Sequence, residues 1–348
     1  MAQSRPNPLG VQKFEVIEFA SPRPEELHTL FRALGFSAVA THRDQPVTLY
    51  RQGGINFLVN ETPDSFASDF AERHGPSCTG FGIRVDDPEA AYEQVKASGA
   101  GDIDQRIDSL PLDCPRIEGI GGSVLYLTGA ARDIEQHFEF DPSVERNPIG
   151  AGLTKIDHLT HNVYNGNMAR WSGFYEDLFG FFEVRYFDIK GEQTGLRSRA
   201  MTAPDGSISI PINESEDPKS QINEYLQQYN GEGVQHIALY TDSIYDTVEQ
   251  LHTNGIEFLD TPDTYYDVID RRIPNHGEDL ERMRADKILI DADRTNPDKQ
   301  LLQIFTQTNI GPIFFEIIQR KGNEGFGEGN FQALFEAIER DQQKRGVL

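Results

Sequence analysis

The sequence contains itself twice, and that repeat limits its fold more than any single motif does. The segment GFGIRVDDPEAAYEQVKASGA (80–100) lies over HIALYTDSIYDTVEQLHTNGI (236–256) at a constant offset of 156 residues, each reading as a strand that runs into a helix ending at glycine. In the second copy Ile244, Val248 and Leu251 share one helical face, and Gly255 follows as a left-handed cap. An earlier pair of segments repeats in the same order. FEVIEFA (14–20) precedes the helical EELHTLFRALGF (25–36), and IDHLTHNV (156–163) precedes MARWSGFYEDLFGFF (168–182). Alternating strand-like runs follow both, with Asp205-Gly206 as a hairpin signal. The pattern predicts an α+β chain of two tandem halves. Each half is a pair of βαβββ modules whose strands form a curved, mixed, open-barrel sheet with helices outside. At about 150 residues per domain the 348 residues suit two domains, expected at 1–150 and 151–348, joined through the Pro- and Gly-rich DPSVERNPIGAG (141–152).

Charge narrows the partners. Thirty-two Lys and Arg against 56 Asp and Glu leave a net charge of −24, a field that repels nucleic acid and anionic membranes. Apolar runs such as Ile313-Phe314-Phe315 are far too short to cross a bilayer. The N-terminal MAQSRPNPLG has no apolar stretch resembling a signal peptide, and two cysteines, Cys78 and Cys114, cannot build a disulfide framework. A soluble cytoplasmic protein with structural thiols is expected. Near the C-terminus Phe331, Leu334, Phe335 and Ile338 recur at i, i+3, i+4, i+7. They predict an amphipathic helix over about 329–344, beginning near Asn330 and ending on Lys344 and Arg345. It either packs on a sheet or forms a lid hinged on the glycine-rich KGNEGFGEG (321–329).

Chemistry concentrates at few positions. His158, His161 and His236 sit in strand-like surroundings, where a lone histidine is more often a hydrogen-bonded core residue than a ligand. Strand alternation sends His158 and His161 to opposite faces, so one of them at most serves a given metal. Glu316 lies in PIFFEII, six apolar residues around one carboxylate. Burial would cost it several kcal/mol unless a cation or proton meets it. Arg320 as partner, or an exposed edge strand, would also accommodate it. Comparing the halves sharpens the choice: His158 faces Val16, His236 faces Gly80 and Glu316 faces Tyr126. The three polar residues occur in one copy only, which suggests one metal site and one structural module. Two imidazoles and a carboxylate from separate strands form a facial triad suited to a non-haem Fe(II) oxygenase. The EGIGG turn (118–122), the acidic ESED (214–217) and the isolated cysteines carry no comparable signal.

The order His158 in IDHLTHNV, His236 in GEGVQHIAL and Glu316 in GPIFFEIIQRKG, followed by GFGEGNFQALFEAIE, resembles the 4-hydroxyphenylpyruvate dioxygenase family of the vicinal-oxygen-chelate superfamily, bacterial type. VERNPIGAGL, RYFDIKGE, PDTYYD and LLQIFT extend the likeness over nearly the whole chain. The resemblance implies one Fe(II) per chain held by His158, His236 and Glu316, which are then also the catalytic residues. It implies conversion of 4-hydroxyphenylpyruvate and O2 to homogentisate and CO2 by oxidative decarboxylation, ring hydroxylation and side-chain migration, in tyrosine catabolism. Carried over position by position, Ser198, Asn213, Gln221, Gln235 and Gln303 match the family's polar substrate contacts. Phe305, Phe314, Phe326, Asn330 and Phe331 match its aromatic wall and gating helix. A homo-oligomer is implied as well, with the metal-free half as a plausible contact surface. Gln235 and His236 are adjacent, so both can face the site only through a local twist or bulge. Cys114 departs from the family pattern, and His161 is familiar there without being a ligand. Rival readings are 4-hydroxymandelate synthase, an extradiol catechol dioxygenase and a ligand-binding member of the fold without turnover.

Overall fold

A computed structural model describes every residue except 1–4, 104–108, 191–193, 294, 328, 332–338, 340, 341, 344, 347 and 348. Short runs of β-branched and aromatic residues, cut by glycines and turn residues, become two eight-stranded mixed sheets. The first comprises β1 (Lys13–Ala20), β2 (Ser37–His42), β3 (Val47–Gln52), β4 (Ile55–Asn60), β5 (Ser77–Arg84), β6 (Arg116–Glu118), β7 (Val124–Thr128) and β8 (Phe138–Phe140), in the order β6-β7-β5-β1-β4-β3-β2-β8. Helices α1 (Pro24–Ala33), α2 (Phe66–His74) and α3 (Pro88–Ala97) accompany it. The second comprises β9 (Leu153–Asn162), β10 (Phe182–Lys190), β11 (Gly195–Thr202), β12 (Ser209–Glu214), β13 (Gly233–Thr241), β14 (Leu289–Ala292), β15 (Gln300–Phe305) and β16 (Phe314–Lys321), in the order β10-β11-β12-β9-β13-β16-β15-β14. Its helices are α4 (Met168–Phe179), α5 (Gln221–Tyr229), α6 (Ile244–Thr253), α7 (Asp263–Tyr266), α8 (Ile269–Arg272) and α9 (Leu280–Ala285).

Three of the four predicted modules have the expected strand, helix, three-strand order, with α7 to α9 inserted between α6 and β14. The remaining one departs. After α3 the described chain contributes β6 and β7 beside β5, while β8 crosses to the far side and covers the free edge of β2. Local chemistry explains the helix ends. Asp87 accepts hydrogen bonds from the Glu89 and Ala90 amides at the start of α3, and α6 buries the predicted Ile244, Val248 and Leu251 before Gly255 turns left-handed at φ 91°.

The repeat is also a repeat of register. In the second sheet His158 pairs across to Ala238 and Ala238 to Glu316; in the first, Val16 pairs to Gly82 and Gly82 to Tyr126. One row further along, Thr160–His236–Phe314 corresponds to Glu18–Gly80–Val124. The residue matches drawn from the sequence thus coincide with strand pairing. One hydrophobic core runs through both halves, with Phe57 and Phe315 6.1 Å apart between ring centroids. Gln52 staples the connection, its Oε1 accepting from the Ala151 and Leu153 amides. No helix among the described residues is long and apolar enough to cross a membrane.

Of the C-terminal helix, residues 329–331 are helical. The predicted Leu334, Phe335, Ile338 and Lys344 lie outside the described residues. Further on, Glu339 accepts from the Thr194 amide and hydroxyl, and Gln342 donates to Glu224 on α5. Glu339 therefore lies against the residue before β11, and Gln342 against α5.

Candidate metal centre

The second sheet brings three ligand-type side chains to one point on its inner face. His158 and Glu316 share a row with Ala238 between them, and His236 stands one row along on the same face. Ala238 is fully buried and its lone methyl leaves the gap in which the flanking side chains meet. Glu316 Oε2 is 3.2 Å from His158 Nε2 and 3.5 Å from His236 Nε2. Among the described residues this is the one cluster of three or more His, Cys, Asp or Glu side chains with ligand atoms close enough, all within 4.8 Å, to share a metal ion.

Two bulges aim the imidazoles. Along β9 and β13 the register slips between His158–Ala238 and Ile156–Leu239, leaving Asp157 as an extra residue, and again between Val234–His161 and His236–Thr160, leaving Gln235 as another. An extra residue breaks the strict alternation of faces. Asp157 Oδ1 reaches His158 Nδ1 at 2.9 Å, and Gln235 Oε1 reaches His236 Nδ1 at 3.0 Å. Both Nδ1 atoms are thus engaged, and both Nε2 atoms are turned to the centre, the arrangement in which imidazoles bind metals. Asp157 is itself held by a forked pair of bonds from Arg320, at 2.6 and 2.8 Å. That pairing answers the question left by the sequence: Arg320 partners Asp157, and Glu316 faces the histidines. Thr160 Oγ1 lies 2.9 Å from His236 Nε2, and Gln303 Nε2 donates to Glu316 Oε1 at 3.1 Å.

Electrostatics follow from burial against these partners. Burial alone would lower the basicity of His158, but the Glu316 carboxylate and then Asp157 outweigh it and hold its pKa at about 9, above the ordinary 6.5. Glu316, which burial would push up, is held below 4.5 by the two histidines. Burial lowers His236 despite Glu316. A proton on His158 thus offsets the buried Glu316 carboxylate, and a divalent ion held by these residues would displace it. His161 lies on the opposite face, fully buried, with Nε2 2.7 Å from the Tyr175 hydroxyl, and burial pushes its pKa down to about 3. It takes no part in the cluster.

The other predicted residues bracket this point. Phe314 stacks on His236 at 4.9 Å, Phe305 lies edge-on at 6.5 Å, and Phe326 stands edge-on to His158 at 5.7 Å. Gln303 accepts from Asn330 at 3.0 Å, linking the start of the C-terminal helix to Glu316. Gly327 makes that approach possible, since a Cβ there would fall 1.8 Å from the Gln303 amide oxygen. Ser198 pairs with Asn213, and Asn213 with Asn162, one row beyond His236. Phe331 packs against Phe187, which is paired to Ser198. Gln221 opens α5 and is half-buried. A cavity of about 1160 Å³ abuts the centre, lined by Asp157, Thr202, Ser209, Arg320 and Phe326 among others. Of the predicted residues it meets Phe326 alone.

The corresponding place in the first half is filled. Glu18 occupies the position of Thr160, receiving bonds from Tyr126 Oη and Asn60 Nδ2, both at 2.7 Å, and burial raises its pKa. A Cβ on Gly80 would come within 2.8 Å of the Val124 carbonyl and 3.2 Å of the Tyr126 ring, so no imidazole fits there. Sequence reasoning offered Arg320 only as a possible partner for Glu316, whereas it holds Asp157, and it missed Asp157, Thr160, Ala238 and Glu18. Asp157 and Glu18 carried usable signals: an acidic or amide residue precedes each histidine of the cluster, and Glu18 sits among apolar residues as Glu316 does.

The chain is similar to known proteins over nearly its whole length. Residues 6–142 match the family described as "Hydroxyphenylpyruvate dioxygenase, HPPD, N-terminal", and residues 155–268 match the "Glyoxalase/Bleomycin resistance protein/Dioxygenase superfamily". The chain is 52% identical to the 4-hydroxyphenylpyruvate dioxygenase of Pseudomonas sp. (strain P.J. 874) over 351 residues, covering 98% of each. It is 53% identical to Hemolysin VllY of Vibrio vulnificus, again covering 98% of each. The solved structure of a triple mutant of 4-hydroxymandelate synthase from Streptomyces coelicolor superposes with a TM-score of 0.83 at 26% identity, covering 96% of this chain and all of that one. Full-length identity at this level shows that the chain belongs to the 4-hydroxyphenylpyruvate dioxygenase family.

Proposed function

We propose that this chain is an Fe(II)-dependent dioxygenase that converts 4-hydroxyphenylpyruvate and O2 to homogentisate and CO2 in tyrosine catabolism. The observation that carries the reading is the convergence of His158, His236 and Glu316 in the second half alone. The donor set suits the metal: two imidazoles with Nδ1 already bonded, and a carboxylate buried to 2% exposure that faces both of them. Fe(II), when bound, supplies open coordination positions and the redox chemistry that dioxygen reduction requires. The protein does the rest. Asp157 and Gln235 keep the imidazoles oriented, and Gln303 holds Glu316. Phe305, Phe314 and Phe326 give the substrate ring an apolar wall, while Ser198, Asn213 and Gln221 orient its polar ends. Asn330 and Phe331, where the expected lid begins, keep water from the site.

In this reading residues 1–150 are a metal-free structural domain and 151–348 the catalytic one. Free, buried Cys78 and Cys114 support a reducing cytoplasm. Exposed Ile149, Tyr164 and Tyr186 support a homo-oligomer. The rival reading, 4-hydroxymandelate synthase, draws on the shared fold at 26% identity. Asn213 and the Phe326 and Phe331 gate favour attack on the ring over the benzylic carbon. The test is anaerobic reconstitution of wild type, His158→Ala and Glu316→Ala with Fe(II), followed by addition of 4-hydroxyphenylpyruvate and O2. The wild type should hold one iron and turn over, and both variants should lose iron and activity; full iron content and turnover in either variant refutes the assignment.

A further inference from the structure

Arg320 does more than neutralise Asp157. It follows Glu316 by four residues on β16 and therefore points to the same face, so one strand carries both a ligand candidate and the group behind another. Its Nε and Nη2 grip the Asp157 carboxylate that engages His158 Nδ1. Its Nη1 donates to the carbonyls of Asn323, at 3.1 Å, and Gly325. Those carbonyls belong to the turn that begins at Gly322 and delivers Phe326 against the His158 ring. Asn323 and Gly325 are tied to each other by a bond from the Gly325 amide to Asn323 Oδ1. The contacts close a ring: Asp157 to His158, His158 to Phe326, Phe326 through its own backbone to the carbonyl of Gly325, and back to Arg320. Asp157, Arg320 and Phe326 also line the cavity beside the centre, so this ring is the wall between that cavity and His158.

We propose that Arg320 is a positioning residue that sets the orientation of His158 through Asp157 and holds Phe326 across the site through the Asn323 and Gly325 carbonyls, so that one guanidinium governs both metal retention and access from the cavity. The proposal rests on the reading of His158, His236 and Glu316 as the iron ligands. A guanidinium suits the task because its planar fork satisfies a carboxylate and two carbonyls at once, which an ammonium cannot do.

Three variants separate the two arms. Arg320→Gln loses both, Arg320→Lys keeps a charge for Asp157 without the fork, and Asp157→Asn keeps an acceptor for His158 while leaving Arg320 free to hold the turn. Fe(II) affinity is measured anaerobically against a chromophoric chelator, and cleavage by chymotrypsin after Phe326 is followed in the metal-free protein alongside its unfolding midpoint. Arg320→Gln should weaken iron binding about 10- to 100-fold, the range typical of groups behind a metal ligand, and speed cleavage after Phe326 about 10-fold or more. Asp157→Asn should weaken iron while leaving that cleavage slow, and Arg320→Lys should recover part of the iron affinity with the turn still exposed. Should Arg320→Gln fail to fold, the other two variants still decide. Iron affinity within about twofold of wild type in Asp157→Asn and Arg320→Lys overturns the proposal, as does cleavage that merely follows the unfolding midpoint. A wild type that binds no Fe(II) refutes the ligand reading itself, and the proposal falls with it.

Discussion

Between His158 and Glu316 the sheet carries Ala238, and the size of that side chain decides whether the two can meet. Replacing it by leucine puts branched carbon into the gap. Ala238→Leu should cost about 1–3 kcal/mol of stability from overpacking and leave a folded protein with far less than one iron per chain; unchanged iron content would show that the gap is not needed. Its importance was invisible in the sequence, because an alanine in GVQHIAL looks like any small strand residue until pairing sets it between two others. His161 was legible. Alternation alone placed it on the far face, where it is buried against Tyr175. Its pKa of about 3, lowered by burial, lies beneath the ordinary 6.5, so between those values the unfolded chain binds a proton that the folded one refuses. Stability should therefore fall as pH drops from 6.5 toward 3, by up to about 1.4 kcal/mol per pH unit from this residue. His161→Gln should flatten that part of a pH series of urea midpoints, and an unaltered slope would contradict the burial argument.

At the scale of elements, the two bulges let an ordinary antiparallel pair aim two imidazoles at one point. Adjacent Gln235 and His236 pose a conflict for a regular strand, and the register resolves it by giving Gln235 no partner. Sequence reasoning could demand a bulge there without seeing that Asp157 repeats the device beside His158, since nothing in composition marks which residue a ladder will skip. Gln235→Ala should leave β13 intact and weaken Fe(II) binding about 10- to 100-fold by freeing the His236 ring, as measured by titration. Equal affinity would mean that packing against Phe314 alone orients it. The C-terminal helix makes a separate prediction. A chain ending at Asn330 should still bind iron but lose turnover and consume oxygen without matching product, because water reaches the oxidant. Tight coupling in that truncation would deny the helix a lid role.

On the scale of the whole molecule, one scaffold used twice separates structure from chemistry. The tandem halves, the module order and the positions matching His158, His236 and Glu316 could be read directly, because a repeat compares each residue with a copy in the same environment. The route of β8 to the edge of β2 could not, since three residues of strand carry no signal of which edge they will cover. Nor could the filling of the first site by Glu18, Tyr126 and Asn60, whose contacts span up to 108 residues. That network meets the same demand by other means: a buried carboxylate is offset by hydrogen bonds in the first half and by imidazoles in the second. The most direct test of the account is to load metal-free protein with Fe(II) under nitrogen, add 4-hydroxyphenylpyruvate and then O2, and follow oxygen uptake while identifying the aromatic product by mass spectrometry and NMR. The account predicts homogentisate formed in step with oxygen; 4-hydroxymandelate, or no product from iron-loaded protein, would contradict it.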